Sequence, residues 1–302
     1  MRVMVLLSPH EGAPGDVVAE LLGQATVAEA AGFDGVLVGE HHGGLAGYLP
    51  NPLQVAGWVL ERTERLVVGP CPLLLPLRPT RLVAEEAAWL AARHPGRVLV
   101  GVAAGAAELD FEIAGVPIAE RTRRYRAALP ELVGILDGSE PGLLAGDSAV
   151  AACREHPVPV VSAVTTLAGT TVAAAAGAGL MLDGFSPVSW SAELAENWRQ
   201  ARGRGRVVLS RRVWLGDAAG DATVDEMAKY RGFSSSAMQE RVEADDSLIT
   251  SGAPKEVAAG LRAAAEAVGA DSLSLRVHLP GVGPEGVRDQ LARLGAEVLP
   301  YL

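Results

Sequence analysis

What this chain has little of narrows its class before any motif is considered. Cysteine occurs only as Cys71 and Cys153 among 302 residues. Two isolated cysteines in so long a chain make no disulfide framework, so burial and hydrogen bonding must hold the fold. Positive charge is in deficit: 26 Lys and Arg stand against 36 Asp and Glu, a formal net charge of -10 with a pI near 5.2. Binding a nucleic-acid backbone needs a concentrated basic face, and this balance disfavours it. Long apolar runs are missing too. No stretch approaches the ~20 residues of a membrane span, and the N-terminal Met1 to Ser8 is too short an apolar segment for a signal peptide. The expectation is a soluble, cytoplasmic protein of a reducing compartment, with neither nucleic acid nor membrane as partner.

What is present is apolar and regular. With 49% hydrophobic and 21% charged residues the chain can bury a large core, and a single domain over 1–302 is expected. Short apolar runs alternate with amphipathic stretches of helical period. The runs are Val3 to Leu7, Val36 to Val38, Leu66 to Gly69 with Leu73 to Leu75, and Arg97 to Val102. They continue with Val158 to Ser162, Leu180 to Leu182, Arg206 to Leu215 and Ser272 to Val277. Helices are predicted over Asp16 to Ala31, Leu53 to Arg62, Thr80 to Ala92, Arg121 to Leu136, Leu167 to Ala176, Ala192 to Ala201, Pro254 to Val268 and Pro284 to Leu294. Asp110 to Glu120 reads as a loop, Gly138 to His156 as irregular, and Gly216 to Ile249 as a polar connection with a helical piece near Thr223 to Tyr230. Eight strand-then-helix units give a (β/α)8 TIM barrel, with an open doubly wound sheet as the alternative.

The stretch Gly32 to His42 concentrates the chemistry. The strand Val36 to Val38 runs straight into Glu40-His41-His42, and in a barrel the C-terminal end of a strand is where polar side chains meet a pocket. Histidine titrates near neutrality, so His41, with Glu40, is the leading candidate for acid-base work; packing or capping a turn is the ordinary alternative. His42 points elsewhere and either packs or borders the substrate pocket. The remaining histidines are scattered without ligand spacing, so no metal is expected. Pro70-Cys71-Pro72 interrupts the third strand, where proline removes a ladder donor. Cys71 has no nearby acid, base or second cysteine, which favours packing over nucleophilic work. Thr165-Thr166 precede a helix and could either cap it or face an anion.

An ordered set of motifs resembles the bacterial luciferase-like family of flavin- and deazaflavin-dependent oxidoreductases. It comprises Ala30 to Val36, Glu40-His41-His42, Gly69 with Leu75-Pro76 and Arg81, Gly96-Arg97 with Gly101, Asp110-Phe111 with Gly115, Pro159-Val160, Gly252 to Glu256, and Glu297 to Leu302. The resemblance implies a (β/α)8 barrel that binds reduced FMN, or coenzyme F420, at the C-terminal ends of its strands. It implies a catalytic role for His41, an activity-related acid at Asp110 (otherwise a loop-pinning residue), and a cis Cys71-Pro72 peptide against the flavin ring, a trans bulge being the alternative. It implies a phosphate site drawn from Thr165, Thr166 and Arg123. It places Phe185, and Trp190 nearby, beside the ring or in the core. The chain departs from the pattern at Ala103 and Ala104, where the luciferases carry cysteine and arginine, so a phosphate has fewer groups to hold it. Weak flavin binding would suit an enzyme fed reduced FMN by a separate flavin reductase. Three readings follow: a monooxygenase using reduced FMN and oxygen on a small organic substrate, an F420-dependent hydride-transfer enzyme, or a non-catalytic barrel. A homodimer through the second and third helices is also expected from the resemblance.

Overall fold

The computed structural model describes residues 1–216, 249–279 and 281–302. Its centre is a ring of parallel strands: β1 (Arg2–Leu7), β2 (Gly35–Val38), β3 (Val67–Pro70), β4 (Leu73–Leu74), β5 (Val100–Ala103), β6 (Val160–Val164), β7 (Gly179–Leu182), β8 (Val207–Leu215) and β10 (Ser272–Arg276). β1 pairs with β2 on one side and β10 on the other, and the order then runs through β8, β7, β6 and β5 to β4. β3 and β4 are two halves of one strand, parted at Cys71-Pro72, whose peptide is cis as expected. A parallel bridge between Val68 and Val98 joins β3 to the run entering β5, which completes the ring. The barrel alternative therefore prevails over the open sheet. A further strand, β9 (Ile249–Gly252), extends the sheet beside β8.

Side chains alternate across each strand, which divides the core in two. Met4, Leu6, Leu37, Cys71, Leu99, Val161, Met181 and Val208 point inward and fill the barrel. Val3, Val5, Val36 and Val38 point outward against the helices. Close strand approach dictates small residues at two points. A Cβ at Gly69 would collide with the backbone carbonyl of Leu99, and one at Gly101 with Sγ of Cys71.

The surrounding helices are α1 (Pro14–Ala30), α2 (Pro52–Arg62), α3 (Thr80–Arg93), α4 (Glu108–Ala114), α5 (Arg121–Leu136), α6 (Ser148–Ala152), α7 (Leu167–Ala175), α8 (Val188–Gln200), α9 (Pro254–Val268) and α10 (Pro284–Glu297). Two expectations need correction. Asp110 to Glu120 begins within α4 rather than as a loop, because Asp110 and Phe111 are buried there and Gly115, in the left-handed conformation, closes the helix. Gly138 to His156 contains α6, whose start is capped by the Asp147 carboxylate accepting from the amides of Ala149 and Val150. Neither segment is long enough to show a helical period. The helical piece near Thr223 to Tyr230 lies outside the described residues. Among the described residues no helix is long and apolar enough to cross a membrane.

Candidate active site

The C-terminal ends of the strands surround a cavity of about 360 Å³, within the range of small-ligand sites. Its floor is apolar, formed by Leu6, Cys71, Pro72, Leu74 and Met181. Polar groups enter from three directions.

The first is the end of β2. His41 borders the cavity, and its Nδ1 lies 2.7 Å from Oδ2 of Asp110. The other carboxylate oxygen of Asp110 accepts from the His42 amide, also at 2.7 Å. Burial pushes the Asp110 carboxyl up, but the His41 hydrogen bond and the His42 amide outweigh it and hold the group below its ordinary value of 3.8. An ionised carboxylate can only accept, so His41 carries its proton on Nδ1 and leaves Nε2 for proton exchange. Tyr48 packs edge-on against the imidazole at 4.5 Å between centroids and fixes the ring from the other side.

Glu40 and His42 do other work. The Glu40 carboxylate is buried, accepting from the Leu74 amide at 2.6 Å and from Nη2 of Arg78 at 2.8 Å, with His42 Nε2 at 3.1 Å. Neither residue reaches the cavity wall. A buried carboxylate needs this pairing, and here it ties the β2 end to β4 just past the cis peptide. Glu40 is thus a clamp rather than a second acid-base group, and His42 is its partner rather than a pocket residue.

The second direction is the β5 and β6 wall, made of Ala103, Ala104, Gly105, Ala106, Ala163 and Thr165. Thr165 faces the cavity. Thr166 instead caps α7, its Oγ1 accepting from the Gly169 amide at 3.1 Å. Arg123 is removed from the site. Its side chain is 74% exposed and pairs with Glu120 at 3.1 Å, because it occupies the solvent side of α5. Trp190 also stays outside the wall, its indole N–H donating to the Thr165 carbonyl at 3.2 Å, whereas Phe185 lines the cavity. Cys71 borders the cavity with its thiol pushed up to about 12 by burial, which fits a packing residue and not a nucleophile.

The third direction was missed in the sequence. Arg211 and Arg212 on β8 and Arg276 on β10 all line the cavity and are buried. Phe185 lies 3.7 Å beneath the Arg212 guanidinium, whose Nη1 donates to the Gly184 carbonyl at 2.9 Å. Arg276 stands 5.9 Å from the Tyr48 ring. The available signal was a cation inside an otherwise apolar strand, as in Val-Val-Leu-Ser-Arg-Arg-Val-Trp-Leu.

The family model described as luciferase-like monooxygenase matches residues 1–297. The chain belongs to the luciferase-like monooxygenase family. Among its luciferase-like relatives, 4-hydroxyprotoasukamycin monooxygenase of Streptomyces nodosus subsp. asukaensis is 30% identical over 227 residues, covering 66% of this chain and 60% of that protein. The F420-dependent glucose-6-phosphate dehydrogenase of Beutenbergia cavernae is also 30% identical, over 195 residues, 60% of this chain and 56% of the relative. The luciferase-like chain thus spans somewhat under two thirds of the length of these curated relatives. The oxygenating constituent of 3,6-diketocamphane monooxygenase from Pseudomonas putida, solved with FMN, shares the fold with a TM-score of 0.80 at 18% identity, over 100% of this chain and 98% of that one. Relatives therefore include both monooxygenases and F420-dependent oxidoreductases.

Proposed function

We propose that this luciferase-like protein is a monooxygenase that uses reduced FMN and oxygen to oxidise a small organic substrate. One observation carries the reading: an imidazole backed by an ionised carboxylate borders an apolar cavity at the mouth of the barrel. The residues present fit a flavin. Leu6, Cys71, Pro72 and Leu74 offer an apolar bed for a heteroaromatic ring, and the alanines of β5 leave room for it. Thr165 remains to meet a phosphate, without help from Arg123 or from a cation at Ala104. That thin charge supports loose binding and supply of reduced FMN by a separate reductase.

When bound, reduced FMN supplies the two electrons that, with oxygen, place one oxygen atom on the substrate and release the other as water. The chain's own residues do the rest. His41 takes or gives a proton at Nε2 while Asp110 fixes its tautomer and stabilises the charged ring. The apolar floor and alanine wall keep water from the reacting groups. The proposal includes a cytoplasmic homodimer through α2 and α3, whose Trp58, Leu82 and Trp89 are exposed.

A second reading is an F420-dependent hydride transfer on the same bed, supported by the equal identity to the F420-dependent dehydrogenase. Anaerobic titration with reduced FMN and with F420 separates the two. Saturable binding of reduced FMN, followed by oxygen uptake that His41→Ala slows, is expected. Saturable binding of F420 alone selects the second reading, and binding of neither rejects both in favour of a non-catalytic barrel.

A further inference from the structure

We infer that Arg78 is a positioning residue: by bonding both stems of the loop 41–50 it holds Tyr48 against His41 at the edge of the cavity. The inference rests on the proposed reading only in taking His41 as the proton carrier. The loop leaves the end of β2 through His41 and enters α2 just after Tyr48, so one ring stands at each stem. Both rings border the cavity, and they meet edge-on at 4.5 Å between centroids with 82° between their planes. A Cβ at Gly39 would come within 3.0 Å of Cε1 of Tyr48, so the tyrosine ring lies on bare backbone at the end of β2.

Such a contact needs its two stems tied. The chain turns back through Gly43 and Gly44, with φ of 68° and 78°, and glycine in a turn gives up much conformational freedom when it is ordered. A shift of about 1 Å at a reacting group can cost about a hundredfold in rate, so a fixed distance between the stems bears directly on what His41 can do.

Arg78, just ahead of α3, supplies the tie. Its Nη2 donates to Oε1 of Glu40 at 2.8 Å and to the Pro50 carbonyl at 3.1 Å. Glu40 precedes the loop and Pro50 closes it, so one nitrogen spans both stems, beside the parallel bridge between Glu40 and Leu49. The Glu40 side chain is fully buried and the Arg78 side chain largely so, which makes their bond charge-assisted and little screened. From Glu40 the anchor continues to the imidazole. His42 Nε2 lies 3.1 Å from the same Oε1, and the His42 amide donates to Asp110, the carboxylate that holds His41. Neutralising a buried carboxylate accounts for the bond to Glu40 alone. The second bond of that nitrogen, to Pro50, is what joins the stems.

Proton NMR of the flavin-free protein tests this, with the ring signals assigned through His41→Gln and Tyr48→Leu. The wild type should show a nuclear Overhauser effect between the two rings, and a displacement of the His41 ring signals that disappears in Y48L. Arg78→Gln should lose most of both. Because R78Q strands the buried Glu40 charge, two further variants are measured beside it. The double variant E40Q/R78Q strands no charge and should lose as much. Arg78→Lys keeps a cation for Glu40 and should show a smaller loss in the same direction. Circular dichroism reports the fold of each. A residue that merely stabilised the protein would lower the urea midpoint and leave the ring signature of the folded variants as in the wild type, and that result overturns the inference. So does absence of the Overhauser effect in the wild type. No flavin is present in any arm, so failure here is separable from failure of the flavin reading.

Discussion

The two facing walls of the cavity are opposite in character. On β5 and β6 the wall is alanine and glycine with Thr165, though the resemblance leads one to expect an arginine there; on β8 and β10 it carries three arginines that no motif announced. Charge is absent from the wall where a phosphate was expected and concentrated on the other. The difference puts the cavity's basic side chains on β8 and β10 and its small uncharged ones on β5 and β6. A ring of parallel strands presents eight C-terminal ends to one hollow, so a cation can enter from any of them.

Four substitutions test this contrast and the parts around it. The largest effect is expected at the end of β2, which belongs to neither wall: His41→Ala should lower turnover by roughly 10² to 10⁴ with the fold intact. Single-turnover kinetics on the substrate, once found, measure it, and unchanged turnover removes His41 from the mechanism. Next is Ala104→Arg, which puts a cation on the uncharged wall. It should tighten FMN binding about tenfold without tightening riboflavin, a pattern read by parallel titrations. An equal gain for riboflavin would show that the wall does not meet a phosphate.

A third test concerns the support behind the arginine wall. His278, just beyond β10, is buried, and burial, with the nearby Arg276 and His10, pushes its pKa down to about 3. The folded state therefore binds fewer protons than the unfolded chain between the ordinary value of 6.5 and about 3. Stability from this group is complete above the upper value and falls as pH drops through the window, by up to about 1.4 kcal/mol per pH unit. In His278→Gln, urea midpoints between pH 6 and 4 should flatten relative to the wild type; parallel curves would show that another group sets the acid limit. The smallest effect is expected from Arg123→Ala. Its solvent-exposed pair with Glu120 should add little to stability, so the urea midpoint should barely move, and FMN affinity should not change. A tenfold loss of FMN affinity would return Arg123 to the phosphate site.

Much of the barrel was legible in the chain because its signals are local. The apolar runs Val3 to Leu7, Arg206 to Leu215 and Ser272 to Val277 coincide closely with β1, β8 and β10, and the period-3.6 stretches with α2, α3 and α9. α4 and α6 escaped because one or two turns hold too few residues to show a period. The site was legible only in part. His41 was marked by its place at a strand end, and the cis Cys71-Pro72 peptide by the family resemblance. Glu40 looked equivalent to His41 in sequence, yet it turns into the protein to meet Arg78 and the Leu74 amide. The direction of a side chain past the end of a strand depends on the loop that follows, which carries no period.

Amino-acid order alone accounts for most of the succession of strands and helices, the acidic excess, and the residue types at the end of β2. Backbone propensity and burial period act over a few neighbouring positions, so those features are written locally. Folding in three dimensions is what brings Asp110, 69 residues beyond His41, to its imidazole and sets Arg212 and Arg276 in register on neighbouring strands. Both depend on closing the ring and setting its register, and electrostatic partners are chosen by distance in space.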